Sequence, residues 1–334
     1  MSAAPMYPAL VADIGGTNAR FGWIAAPGAA VAQVRTLAVA DHPSPADAAR
    51  AYLAWRAAAE PGMPAVPRRA AIAVATAVVD DAIAFTNSAW GFSRRGLQAA
   101  LGLDALRVIN DFEALALALP TLTAAQLASD RPLALPPTAT LAVIGPGTGL
   151  GVGGVCPSPA GWTALPGEGG HATLAPADDA DSELLAWVRR RWDHVSAERL
   201  LSGTGLPLLH EAVCDLHGLT RAATSTPAIV DAALSGRDAA CAQTLDVFCA
   251  LLGGFAGSVA LLLGARGGVY IGGGIVPRLG ARFFGSRFRA RFEAKGRFRR
   301  YLEAIPTPVI TDTLAALAGA AAALEPPGAA ATPP

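Results

Sequence analysis

The chain has 334 residues, 52% of them hydrophobic, and its 26 Lys+Arg balance its 26 Asp+Glu. That length suits two domains better than one simple core, and that apolar share excludes global disorder. A formal net charge of +0 gives no electrostatic case for nucleic acid or an anionic membrane as partner.

In chain order, the first strong strand is Ala9–Ile14, followed by the turn residues GGTN and a second apolar run over 19–24. Gly15, Gly16 and Asn18 supply the backbone angles of a tight turn between two strands. The Ala/Pro-rich stretch 25–67 is expected to hold one more strand and a helix over 46–59. A further hairpin is expected from 70–75, a turn near Asp80 and Asp81, and a strand over 82–86. A helix over 94–101 leads into a strand over 105–109, ending at Asn110 and Asp111. A helix over 112–119 follows and stops at Pro120.

At Leu141 the pattern of strand, glycine-rich turn and strand returns (LAVIG, PGTGL, GVGGV), a weak internal duplication. Helices are expected over 181–192, 205–217 and 228–235. The uncharged run 247–265 is long enough to span a bilayer, but it stands alone and carries Gly253, Gly254, Gly257 and Ser258. It reads as a buried core helix, with no membrane partner. A strand over 268–272, a glycine turn, a short strand over 308–311 and a helix over 313–324 follow. The tail EPPGAAATPP has a disordered composition. Cys156, Cys214, Cys241 and Cys249 form no CxxC, which fits free thiols in a reducing compartment, so a cytoplasmic location is expected. The N-terminus shows no basic region ahead of an apolar one, as a signal peptide would.

Three glycine-rich turns each follow an apolar strand: DIGGTN, GPGTGLG and GGG. Glycine lets backbone N–H groups converge on an anion, and threonine adds a hydroxyl donor, so the three together favour nucleotide binding. Lys295, the single lysine, follows no such loop, which excludes a Walker A site. A GxGxxG match at 149–154 runs into VCPSPAGW rather than a helix, so a dinucleotide fold is rejected. By spacing alone Asp111 reads as a helix N-cap, Glu168 and His171 as turn residues, and Glu198 as a solvated helix-face residue.

DIGGTNAR, VINDFEALA, GPGTGLG, LPGEGGH, HVSAERLLSG and GGVYIGGGIVPR occur in the order seen in bacterial glucokinases. The sequence resembles that family over about residues 9–322, in the group lacking the zinc motif CxCGxxGC. The resemblance implies an α/β, two-domain actin-like ATPase (ribonuclease H-like) fold with an interdomain cleft. Residues 1–111 and 312–334 would form the small domain and residues 112–311 the large one. It also implies ATP-dependent phosphorylation of glucose at its 6-hydroxyl, at the entry to glycolysis, by a homodimer that uses ATP and Mg²⁺. Carried over by motif, Asp13, Ile14, Gly15, Gly16, Thr17 and Asn18 would form the first phosphate loop. Gly147, Thr148 and Gly149 would form the second, and Gly272, Gly273 and Gly274 the nucleoside-side loop. Asn110, Asp111, Glu168, His171 and Glu198 would bind the sugar, with Asp111 as catalytic base and Asp13 holding Mg²⁺ through water.

Overall fold

The computed structural model describes residues 7–60, 62, 66–85, 90–159 and 161–324. The tail, 325–334, and the last residue of the strand expected over 82–86 lie outside the described residues. The chain divides into two compact units. One comprises Met1–Leu122, Val155–Pro166 and Thr313–Pro334, the other Thr123–Gly154 and Gly167–Asp312.

The first unit opens with β1 (Ala9–Ile14), buried at every position except the half-buried Asp13. After the GGTN turn, where the Gly15 N–H donates to the Asn18 carbonyl at 2.9 Å, the chain returns as β2 (Asn18–Ile24) and then as the half-exposed β3 (Ala32–Ala38). Helix α1 (Pro45–Ala59) starts where the Ser44 hydroxyl accepts the Asp47 N–H at 3.2 Å, with Pro45 preset for the first turn. β4 (Arg69–Val74) then runs parallel to β1, so this second half of the sheet is buried and its strands read as continuous Ala/Val/Ile runs.

The hairpin expected over 70–86 does not form. β4 has β1 on one side and the parallel β7 (Ala105–Asn110) on the other, which leaves it no edge to offer. β5 (Ala82–Ala84) pairs instead with β6 (Gly91–Ser93) in a separate two-stranded sheet. α2 (Arg94–Ala100), capped by Ser93, leads into β7, and α3 (Asp111–Ala118) follows directly.

In the second unit β8 (Leu127–Ala128) and β9 (Leu141–Pro146) precede β10 (Leu150–Ser158), whose residues 155–158 pass into the first unit with β11 (Gly161–Leu165). Helices α4 (Asp179–Arg189), α5 (Leu206–His217), α6 (Thr226–Leu234) and α7 (Ala239–Leu263) follow. After β12 (Gly268–Ile271) come four short helices: α8 (Val276–Leu279), α9 (Ala281–Phe284), α10 (Phe288–Glu293) and α11 (Arg299–Glu303). β13 (Val309–Ile310) completes the unit, and α12 (Ala315–Ala322) belongs to the first. The apolar stretch 247–265 lies within α7 and its continuation. Phe248, Leu252 and Ala256 of that helix are fully buried in the second unit's core.

The two principal sheets have orders β3-β2-β1-β4-β7 and β11-β10-β9-β12-β13-β8. Apart from the added β8 they repeat one plan: a three-strand meander followed by two parallel strands. The internal duplication read from the glycine turns is therefore a duplication of topology.

Candidate active site

In the first unit β1, β4 and β7 are parallel and in register, with Ile14 level with Val74 and Val74 level with Asn110. The carboxyl ends of β1 and β7 therefore finish on the same edge, two strand spacings or about 10 Å apart. Asp13 to Asn18 leave the first of these ends, and Asn110 and Asp111 leave the second. Open α/β sheets bind ligands at such carboxyl ends.

Asn110, not Asp111, is the N-cap of α3. Its Oδ1 accepts the N–H groups of Phe112 and Glu113 at 2.8 and 3.3 Å, while its Nδ2 donates to the Thr76 carbonyl at 3.2 Å. That leaves Asp111 as the first helical residue, its half-buried carboxylate accepting the Phe112 N–H at 3.0 Å. Asp13 is held by Arg20, whose Nη1 donates to Oδ2 at 3.2 Å. Burial pushes the Asp13 carboxyl above the usual carboxylate range, and the Arg20 guanidinium opposes that rise.

In the second unit β9 and β12 are adjacent and parallel, so the loops at 145–149 and 272–274 leave neighbouring strand ends. The Gly272 N–H donates to the Ile144 carbonyl at 2.8 Å and the Ile275 N–H to the Pro146 carbonyl at 3.2 Å. Gly273 has φ +76°, and a Cβ there would lie 2.6 Å from the Pro146 carbonyl carbon. Glycine is required at that position both by conformation and by the approach of the first loop. Gly147 and Thr148 are held from the other side, where the Gly203 N–H donates to the Gly147 carbonyl at 2.7 Å and the Thr204 N–H to the Thr148 carbonyl at 3.3 Å.

Of the remaining predicted sugar residues, His171 and Glu198 are brought together. Residues 170–174 and 195–198 run antiparallel, joined by Leu174 N–H to Val195 carbonyl at 3.0 Å and Glu198 N–H to Gly170 carbonyl at 2.9 Å. That pairing sets His171 Nδ1 3.9 Å from Glu198 Oε1. Glu198 is therefore not a helix-face residue: it lies in a paired segment, its Oε2 accepting the Leu150 N–H at 2.8 Å. Glu168 is exposed just ahead of the 3-10 turn Gly169–His171.

The glucokinase family model matches residues 10–326. The chain belongs to the glucokinase family. The glucokinase of Chromobacterium violaceum is 48% identical over 318 residues, 95% of this chain and 89% of its own length. That of Neisseria meningitidis serogroup C is 46% identical over 322 residues, 96% and 95% of the two chains. A crystal structure of glucokinase from an Antarctic psychrotroph is 38% identical with a TM-score of 0.85, covering 95% of this chain and 98% of that one. The duplicated sheets are thus those of the actin-like ATPase fold shared by glucokinases.

Two features of this glucokinase-family site escape motif reading. Arg20 ends the DIGGTNAR string, but its partner Asp13 is seven positions away and becomes its neighbour only when β1 and β2 pair in register. The segment 202–205, SGTG, signals a fourth glycine turn, yet it follows no strand and buttresses the 147–148 turn from outside.

Proposed function

We propose that this chain transfers the terminal phosphoryl group of ATP to the 6-hydroxyl of glucose, giving glucose 6-phosphate at the entry to glycolysis. The observation that carries the reading is the placement of Asp111 and the first glycine turn at one edge of parallel strands, with two further glycine loops stacked on neighbouring strand ends of the duplicate sheet.

Phosphoryl transfer needs positioning and charge neutralisation more than covalent chemistry by the protein. Backbone N–H groups of the 15–18 and 147–149 turns, other than those of Gly15 and Gly147 that close the turns themselves, grip phosphate oxygens, and Gly272 to Gly274 give the nucleoside a flat backbone surface free of side chains. Asn110, Glu168, His171 and Glu198 hold sugar hydroxyls. A sugar lacking or inverting one of them leaves its protein partner unpaired against the bound ligand, which is the basis of selectivity. Asp111 accepts the proton of the 6-hydroxyl as that oxygen attacks the phosphorus in line. A base in this role needs reach and orientation more than an altered pKa.

Among the described residues no group of three or more His, Cys, Asp or Glu side chains could hold a metal ion. Mg²⁺ bound to the ATP phosphates would offset their charge, and Asp13 is the residue that would hold it. Free thiols at Cys214, Cys241 and Cys249 support a cytoplasmic location, and we take the working form to be a homodimer, which light scattering decides.

The deciding experiment is a coupled assay of sugar 6-phosphate formation from glucose, ATP and Mg²⁺. Asp111→Asn should lower kcat by on the order of 10²–10⁴-fold while leaving ATP binding in place. Unchanged turnover in that variant removes the assigned base, and no turnover of glucose by the wild type removes the reaction.

A further inference from the structure

The Glu198 side chain is divided between two neighbours. Oε1 faces the His171 ring at 3.9 Å, on the side assigned to the sugar, whereas Oε2 accepts the Leu150 N–H at 2.8 Å at the end of the GPGTGLG loop. The loop is shaped to receive it. A Cβ on Gly149 would lie 3.3 Å from Glu198 Cδ and closer still to Oε2, so a side chain there would push the carboxylate off the Leu150 amide.

The backbones on either side are locked to each other. Glu198 N–H donates to Gly170 at 2.9 Å, and a Cβ on Gly170 would reach to 3.0 Å from the Leu150 carbonyl carbon. Gly203 then ties the same strand of chain to Gly147 at 2.7 Å. Residues 147–150, 168–171 and 198–204 thus form one stack within the second unit, with a single carboxylate linking the sugar segment to the phosphate loop.

We infer that Glu198 is a positioning residue that couples the two substrates: a hexose hydroxyl held by Oε1 fixes the carboxylate, and Oε2 then fixes the Leu150 amide and the phosphate loop behind it. The inference rests on the glucose and ATP assignment above and deepens it. Coupling of this kind is reciprocal, so each ligand tightens the other by one factor.

The test is calorimetric titration with the non-hydrolysable analogue AMPPNP and Mg²⁺, with and without saturating glucose, so that no chemistry intervenes. Alongside it, the hydrogen exchange of the Leu150 amide is followed. In the wild type, glucose should tighten AMPPNP by roughly tenfold, inside the range usual for coupled sites, and glucose alone should slow exchange at Leu150. In Glu198→Ala and in Gly149→Ala, which keeps the carboxylate but displaces it, glucose at saturation should no longer tighten the analogue. Exchange at Leu150 should then ignore the sugar. Glu198→Gln, close in shape, serves the same comparison should Glu198→Ala fail to fold.

The inference is overturned if these variants take up glucose and still tighten AMPPNP by the wild-type factor, or if wild type binds both ligands independently. Either result leaves the proposed reaction standing. A wild type that binds no glucose overturns the reaction and the coupling together.

Discussion

Neighbouring glycines in α7 should respond to the same substitution with opposite signs. A Cβ at Gly254 meets nothing within 4 Å, so Gly254→Ala exchanges a flexible residue for the best helix former inside a helix. The gain is about 0.5–1 kcal/mol. A Cβ at Gly253 would lie 2.8 and 2.9 Å from the carbonyl carbon and Cα of Phe288, and nearer still to its carbonyl oxygen. These are backbone atoms of α10, which cannot rotate aside as a side chain would. Gly257 meets Phe292 the same way, its Cβ falling 2.5 Å from that carbonyl oxygen. Overpacking costs of about 1–3 kcal/mol then outweigh the same propensity gain, and Gly253→Ala should be destabilised by about 1–2 kcal/mol net. Thermal unfolding by circular dichroism reads both variants. At about 2–4 °C per kcal/mol for a unit of this size, the melting points should part by several degrees, on opposite sides of wild type. Urea midpoints at unchanged m give an independent check. If both variants melt on the same side of wild type, the close α7–α10 approach is not what requires glycine at 253.

In the first unit, a Cβ on Gly319 of α12 would lie 3.1 Å from Ala114 Cα and collide with the Ala114 carbonyl oxygen. Gly319→Ala should therefore lower both the melting temperature and kcat, because α3 carries Asp111 at its start; unaltered kcat with a lowered melting point would separate packing from catalysis. Gly273→Ala, where φ is +76° and Pro146 crowds the site, should weaken nucleotide binding while leaving glucose affinity nearly intact, as paired titrations would show. Buried His210 bonds Thr244 at 2.7 Å and touches the Cys214 and Cys241 thiols. Burial holds its pKa below the usual value; Asp238 draws it back up and Arg221 pushes it further down. Below about pH 6.5 the unfolded chain takes up a proton that the folded imidazole refuses, so stability falls with acid down to the folded pKa. Urea midpoints of His210→Gln should fall less steeply than wild type between pH 7 and 5.5, and parallel slopes would dismiss His210 as the source.

The features legible in the sequence were those with local causes. The β1–β2 and β9–β10 turns announce themselves through glycine, and α7 through its length and apolar run. The pairing of β4 was not legible, because a buried parallel strand and one arm of a hairpin can have the same composition, and only the arrival of β7 decides between them. β11, GWTAL, is too short and too evenly half-buried to alternate clearly, and the helices between 276 and 303 are four to six residues each. At the candidate site, the motif strings contained Gly147 to Leu150, Gly170, His171 and Glu198, but not the division of labour among them. Spacing made Asp111 a cap, whereas Asn110 does that work with its side-chain oxygen. Glu198 read as a solvated face because its partner, the Leu150 amide, is 48 residues away.

The duplicated plan also indicates why the two halves diverge chemically. Just past the fourth strand of each five-strand motif, the chain makes the same bond back to the first: Ala75 N–H to Ile14 carbonyl at 3.1 Å in one unit, Gly272 N–H to Ile144 carbonyl at 2.8 Å in the other. One residue later the frames part. Thr76 offers its carbonyl to the Asn110 side chain, which caps α3 and so sets where Asp111 begins the helix. Its counterpart Gly273 takes a left-handed φ and lies against Pro146 with no room for a side chain. The fifth strands end in a parallel contrast. Asn110–Asp111 opens a helix in the first unit, whereas Asp312 beyond β13 receives the Gln126 amide at 2.6 Å, beside a backbone bond from Thr311 N–H to the Gln126 carbonyl at 2.9 Å. One repeated arrangement of strands thus supplies a carboxylate-bearing helix start in one copy and a stripped, close-packed backbone surface in the other. In the proposed reaction the first would serve the hydroxyl acceptor and the second the nucleotide.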